Sequence, residues 1–137
     1  MANWCKNEIE LIKKHSNEEE YNKILKAICD KEFLEFFVPE PKDLKNSLDK
    51  DDMEDLCSWT EENWGTNQDI ISFELVENYF LRNVIHIELK FETAWTPPLK
   101  VYEEMTRKGW YVNASYVEFG NSLCGLWDSD CDMPKED

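Results

Sequence analysis

The period of the apolar residues switches between two and 3.6 along the chain, and the order of those switches restricts the fold more than any other feature. Residues 7–12 read NEIELI, with Ile9 and Leu11 on one side of an extended segment and polar residues between them. That is the alternation of a half-buried strand. Ser16-x-x-Glu19 then reads as a capping box, and behind it Tyr21, Ile24, Leu25, Ile28 and Cys29 recur at helical spacing. Residues 33–39 form a short apolar run closed by Pro39 and Pro41, since proline cannot continue a ladder. Alternation returns over residues 69–77, with Ile71, Phe73 and Leu75 on one face, and over residues 84–91, with Ile85, Ile87 and Leu89. The stretch 78–83 between them can turn, so the two form an antiparallel hairpin. Pro97 and Pro98 suit the first turn of a helix, where the missing N–H costs nothing. Leu99, Tyr102 and Met105 mark that helix's apolar face, Gly109 stops it, and residues 110–119 return as a strand. Residues 123–127 can add one more.

The order β-α-(insertion)-β-β-α-β predicts an α+β, ferredoxin-like split βαβ sandwich. Its antiparallel sheet carries helices on one face, with a charged insertion between the first helix and the central hairpin. The insertion, residues about 42–62, is read as a loop carrying a short acidic helix. Residues 1–127 form one domain, and 128–137 read as a disordered acidic tail. At 137 residues, 42% hydrophobic and 13% aromatic, the chain has enough core material to fold without disulfides or metal.

Thirty acidic against 15 basic residues give a formal charge of −15. Such a charge opposes direct binding to nucleic acid, where positive side chains drive association, and to anionic membrane surfaces. It favours solubility, or a negative field offered to a basic protein surface. No apolar run approaches a membrane span and the N-terminus shows no signal peptide, which places the chain in the cytoplasm as an expectation. The five cysteines, Cys5, Cys29, Cys57, Cys124 and Cys131, are odd in number and scattered, as expected of free thiols.

No catalytic signature emerges. His15 and His86 have no spacing that suggests convergence with a cysteine, and both read as structural. Cys124 and Cys131 lack a second pair for zinc. Asp128-x-Asp130-x-Asp132 opens like an EF-hand loop but has Met133 where glycine is required. No phosphate-binding glycine motif is present. The expectation is therefore no enzyme, no cofactor and no metal.

Four segments together resemble the YubB ferredoxin-like domain family of phage and plasmid accessory proteins. They are Met1-Ala2-Asn3-Trp4-Cys5, Trp64-Gly65-Thr66-Asn67-Gln68-Asp69, Thr93-Ala94-Trp95-Thr96-Pro97-Pro98, and Tyr116-Val117-Glu118-Phe119-Gly120 with Cys124-Gly125-Leu126-Trp127; Phe37-Val38-Pro39-Glu40-Pro41 adds to them. The resemblance implies a ferredoxin-like fold and a mobile-element origin, and it transfers no site residues. The charge-dense insertion and the acidic tail depart from the family pattern. Physically, the motifs read first as architecture, with Gly65 and Gly125 supplying positive φ or close approach.

Two functions follow as expectations. In the first, this is an interaction protein that binds a basic host protein through Asp43, Asp49, Asp51, Asp52, Glu54, Asp55, Glu61 and Glu62, and through the tail. Its sharpest form is a nucleic-acid-mimicking inhibitor of host defence. In the second, Trp64, Trp95 and Trp127 form a platform for a nucleotide or other small ligand.

Overall fold

The computed structural model describes residues 4–42, 50–66, 68–118 and 123–128, with backbone alone for 50–54 and 123. Five strands form one antiparallel sheet: β1 (Trp4–Lys13), β2 (Ser72–Leu81), β3 (Val84–Ala94), β4 (Tyr111–Glu118) and β5 (Leu123–Asp128). Their spatial order is β2-β3-β1-β4-β5. Four helices are seen among the described residues: α1 (Glu18–Cys29), α2 (Phe33–Phe37), α3 (Lys50–Asn63) and α4 (Leu99–Arg107). None of the described helices is long and apolar enough to cross a membrane.

Alternation fixes the two faces of the sheet. Ile9 and Leu11 of β1 stand opposite Leu89 and Ile87 of β3 and Ala114 and Val112 of β4, so these six share one face. Against it pack Ile24 and Ile28 of α1, Phe33, Leu34 and Phe37 of α2, Trp64, and Val101, Tyr102 and Met105 of α4. All are buried.

Several local readings shift. The cap of α1 is Asn17, not Ser16: its side chain accepts from Glu20 N at 2.8 Å, while Ser16 Oγ donates to Glu20 Oε1. Cys29, expected on the apolar stripe, is exposed. Residues 33–37 form a helix because both of its ends are held from elsewhere. The Asp69 carboxylate accepts from Leu34 N and Glu35 N at 3.0 Å each. At the other end Trp64 Nε1 donates to Val38 O at 2.8 Å and Lys108 Nζ to Phe37 O at 2.6 Å. The acidic helix of the insertion runs through Asn63 and is not short. The hairpin turn contracts to Arg82 and Asn83, both with positive φ (53° and 63°), as a two-residue turn between twisted strands requires. Strand β2 continues to Leu81 across a bulge between Leu75 and Glu77. Asp128, assigned to the tail, ends β5; residues 129–137 lie outside the described ones.

The motifs act as clamps. Thr66 Oγ1 donates to Ala94 O at 2.8 Å and Thr96 Oγ1 to Gly65 O. Gly65 has φ +87°, and a Cβ there would lie 3.2 Å from Leu99 N and 3.3 Å from Pro97 O. Trp64, Gly65 and Asp69 therefore tie α2 to the start of α4. Gly125 serves closeness instead: opposite Tyr116, an added Cβ would fall 2.3 Å from the phenol oxygen.

Candidate functional site on the uncovered face of the sheet

The helices leave the second face of the sheet uncovered among the described residues. Register places seven carboxylates there, Glu8, Glu10, Glu74, Glu77, Glu88, Glu92 and Asp128, against two lysines, Lys6 and Lys90. One transverse row runs Glu77, Glu88, Glu10, Asn113, Asp128, each directly opposite the next on the neighbouring strand. Neighbouring strands lie about 4.8 Å apart, and like charges directly opposite destabilise a sheet. A row that begins with three adjacent carboxylates is therefore not what folding alone favours.

Apolar side chains share this face. The large hydrophobic residues exposed among the described ones are Trp4, Val76, Tyr79, Leu81, Trp95 and Leu126. Alternation and register put Trp4, Tyr79, Leu81 and Leu126 on the uncovered face, and Val76 lines a shallow depression there with Glu10, Glu88 and Asn113. The depression holds about 250 Å³.

His86 sits beside the row and is only 9% exposed. Its ring stacks on Tyr79, with centroids 4.9 Å apart. Nε2 lies 3.0 Å from Glu10 Oε2 and 3.8 Å from Glu88 Oε1, and the buried Nδ1 has no hydrogen-bond partner. Lys90 lies 3.8 Å from Glu8 and does not neutralise this row. Cysteine spacing gives no sign of this arrangement around His86. The signal in the sequence is alternation: Glu8-x-Glu10 and His86-x-Glu88 each put two polar side chains on one strand face. Which strands adjoin is not written locally.

The sequence-predicted binding residues fall elsewhere. Asp55, Glu61 and Glu62 lie on α3 and are exposed, while Asp51, Asp52 and Glu54 are placed by backbone only within the same helix. Asp43 and Asp49 lie outside the described residues. The tryptophans do not assemble as one surface. Trp64 is buried against Trp59, and Trp127 points to the helix side with its ring centroid 6.4 Å from Tyr102. Trp95 is 41% exposed and has φ +66°, an unusual backbone for a bulky residue.

The helix side of the same sheet end is polar but closed. Asn7 Nδ2 donates to Thr93 Oγ1 at 3.0 Å and to Cys5 O at 3.1 Å. Burial pushes the Cys5 thiol up to about 11, with the Glu118 carboxylate adding to the rise and a Thr93 hydrogen bond opposing it. Burial likewise raises the Tyr102 phenol well above its ordinary value, with Cys5 and Tyr116 adding to the effect. These groups are sealed from solvent, so they offer rigidity and no entry for a ligand. Cys5, Cys29, Cys57 and Cys124 are free thiols, and Cys131 lies outside the described residues.

No protein-family model matches the chain, and neither the curated proteins nor the solved structures yield a match. The resemblance drawn from the Trp-rich motifs therefore rests on those motifs.

Proposed function

We propose that this protein is a non-enzymatic interaction module whose uncovered sheet face docks on a basic protein surface. Five of the six large exposed hydrophobic residues share that face with seven carboxylates, and this one observation carries the reading. Apolar side chains inside a charged surround are the composition of a binding surface, whereas solubility alone calls for charge without exposed aromatics. The transverse carboxylate row supports a partner that ordinarily meets phosphates, the form of function expected of a mobile-element protein that inhibits nucleic-acid-directed defence. The succession β1-α1-β2-β3-α4-β4, interrupted by α2 and α3 before β2, supports a ferredoxin-like unit, to which β5 adds an edge strand.

Two charge-reversal variants test the reading by affinity capture from a host extract over a range of salt. One carries Glu74→Lys, Glu77→Lys and Glu92→Lys on the sheet; the other carries Asp51→Lys, Asp52→Lys, Glu54→Lys and Asp55→Lys on α3. Exposed pairs contribute only about 0–1 kcal/mol each, so several act together, and capture weakens as the screening length falls below about 8 Å. The sheet variant should lose the partner. Equal recovery by wild type and both variants, or tight binding of an oligonucleotide by the wild type, refutes docking through acidic surfaces. Loss in the α3 variant alone moves the interface to the insertion.

A further inference from the structure

Glu10, His86 and Glu88 present ligand atoms that all lie within 4.8 Å of one another, and we propose that they hold a divalent transition-metal cation on the uncovered face. This goes beyond the docking reading and does not depend on it. Three observations converge. The ligand atoms come from two hydrogen-bonded strands, with Glu10 directly opposite Glu88 and His86 two residues away on the same face, so backbone pairing holds the set. In a tetrahedral site with bonds of about 2.0–2.2 Å, ligand atoms lie about 3.3 Å apart. The observed 3.0 Å and 3.8 Å from the imidazole straddle that value, and the two carboxylates lie within 4.8 Å of each other, so rotation of the partly exposed glutamate side chains would bring the set to bonding geometry.

Charge is the second observation. Glu77, Glu88 and Glu10 form consecutive positions of one row, and among the described residues no lysine or arginine pairs with any of them. The third is His86 itself. An imidazole nine-tenths buried, with one nitrogen aimed at two carboxylates and the other without a partner, is an unusual group to place beneath an acidic surface. With Nε2 on a cation, the ring proton resides on Nδ1.

One imidazole and two carboxylates suit zinc or a neighbouring first-row ion better than magnesium or calcium, which prefer oxygen alone. Glu10 and Glu88 also line the depression, from which water would fill the remaining positions. Because Nδ1 lacks the hydrogen-bonded partner that usually orients a ligating histidine, affinity should fall roughly 10- to 100-fold below that of a fully supported site.

The experiment is a calorimetric titration of the reduced, full-length protein with zinc chloride, in wild type, Glu10→Gln/Glu88→Gln and His86→Gln. The exposed thiols are common to all three, so any binding they contribute cancels in the comparison. Wild type should bind one ion that both variants lose, and zinc should raise the melting midpoint of wild type alone. The double glutamine variant keeps oxygens to accept from Nε2 while removing like charges, so its metal-free midpoint should be equal to or above that of wild type. That separates ligand loss from misfolding. No such ion in wild type, or unchanged binding in Glu10→Gln/Glu88→Gln, overturns the proposal.

Discussion

Asp69 sets two opposing effects against each other in one side chain. Its carboxylate accepts from the backbone N–H groups of Leu34, Glu35 and Ile70 at 3.0, 3.0 and 2.8 Å. Three such donors favour the charged form, and a carboxylate so held can titrate below its ordinary value. Burial opposes them and prevails, pushing the group from 3.8 up to about 6, with the nearby Glu35 carboxylate adding a little. The sign follows. Between pH about 4 and 6 the folded chain holds a proton that the unfolded chain has released, so the stability linked to Asp69 is full below pH 4 and is lost as pH rises through 6. A separation of two units corresponds to about 3 kcal/mol, and partial exposure of the side chain reduces this to about 1–2 kcal/mol. Asp69→Asn cannot titrate but keeps an oxygen for Leu34 and Ile70. Stability from urea unfolding, measured for both proteins from pH 4 to 7, should show wild type losing that amount relative to the variant. Taking the difference cancels the titration of the other 29 acidic residues. Asp69→Ala strands all three donors and should cost about 2–3 kcal/mol at pH 4, a cost that shrinks toward pH 7 by the same amount that wild type loses. If wild type instead gains on Asp69→Asn as pH rises, the hydrogen bonds outweigh burial and the argument fails.

Two further outcomes can be checked directly. Gly125→Ala places a methyl group 2.3 Å from the Tyr116 oxygen, so the ring must leave its position over β5. The expected cost is about 1–3 kcal/mol, seen as a drop of several degrees in melting midpoint; an unchanged midpoint would show that the ring moves freely. Cys5, buried and with its thiol raised to about 11, should resist a thiol reagent at pH 8 until denaturant is added. Cys29, Cys57 and Cys124, all exposed, should react in the native protein, and rapid native labelling of Cys5 would contradict the burial.

The parts legible from sequence are those whose causes are local. Ile9 with Leu11, Phe73 with Leu75, and Ile85 with Ile87 and Leu89 each share a face, because side chains in a strand alternate whatever lies beyond. Pro97, Pro98 and Gly109 frame α4 for equally local reasons. The run 33–37 reads differently because what makes it helical is Asp69, more than 30 residues later. Alternation over residues 69–77 differs from the observed Ser72–Leu81 because the bulge changes the parity of the inward positions. Phe73 and Leu75 point to the core before it, Asn78 and Phe80 after it, and a fixed period of two breaks there. The candidate site shows the same limit. Alternation marks Glu10, His86 and Glu88 as outward, but only the register of β1 on β3 makes them neighbours.

That bulge also decides how other chains can approach. Strand β2 lies at the edge of the sheet, and its outer N–H and C=O groups would ordinarily invite an incoming strand. The extra residue at Val76 interrupts that row, leaving four paired positions on one side and five on the other. A second copy adding in either direction meets a local twist in place of a continuous ladder. It would also bring its own carboxylates beside Glu74 and Glu77. Edge-to-edge polymerisation through β2 is thereby blocked by geometry and charge together, even though Tyr79 and Leu81 lie exposed beside it. Along this edge, Tyr79 and Leu81 can then remain uncovered without seeding fibres.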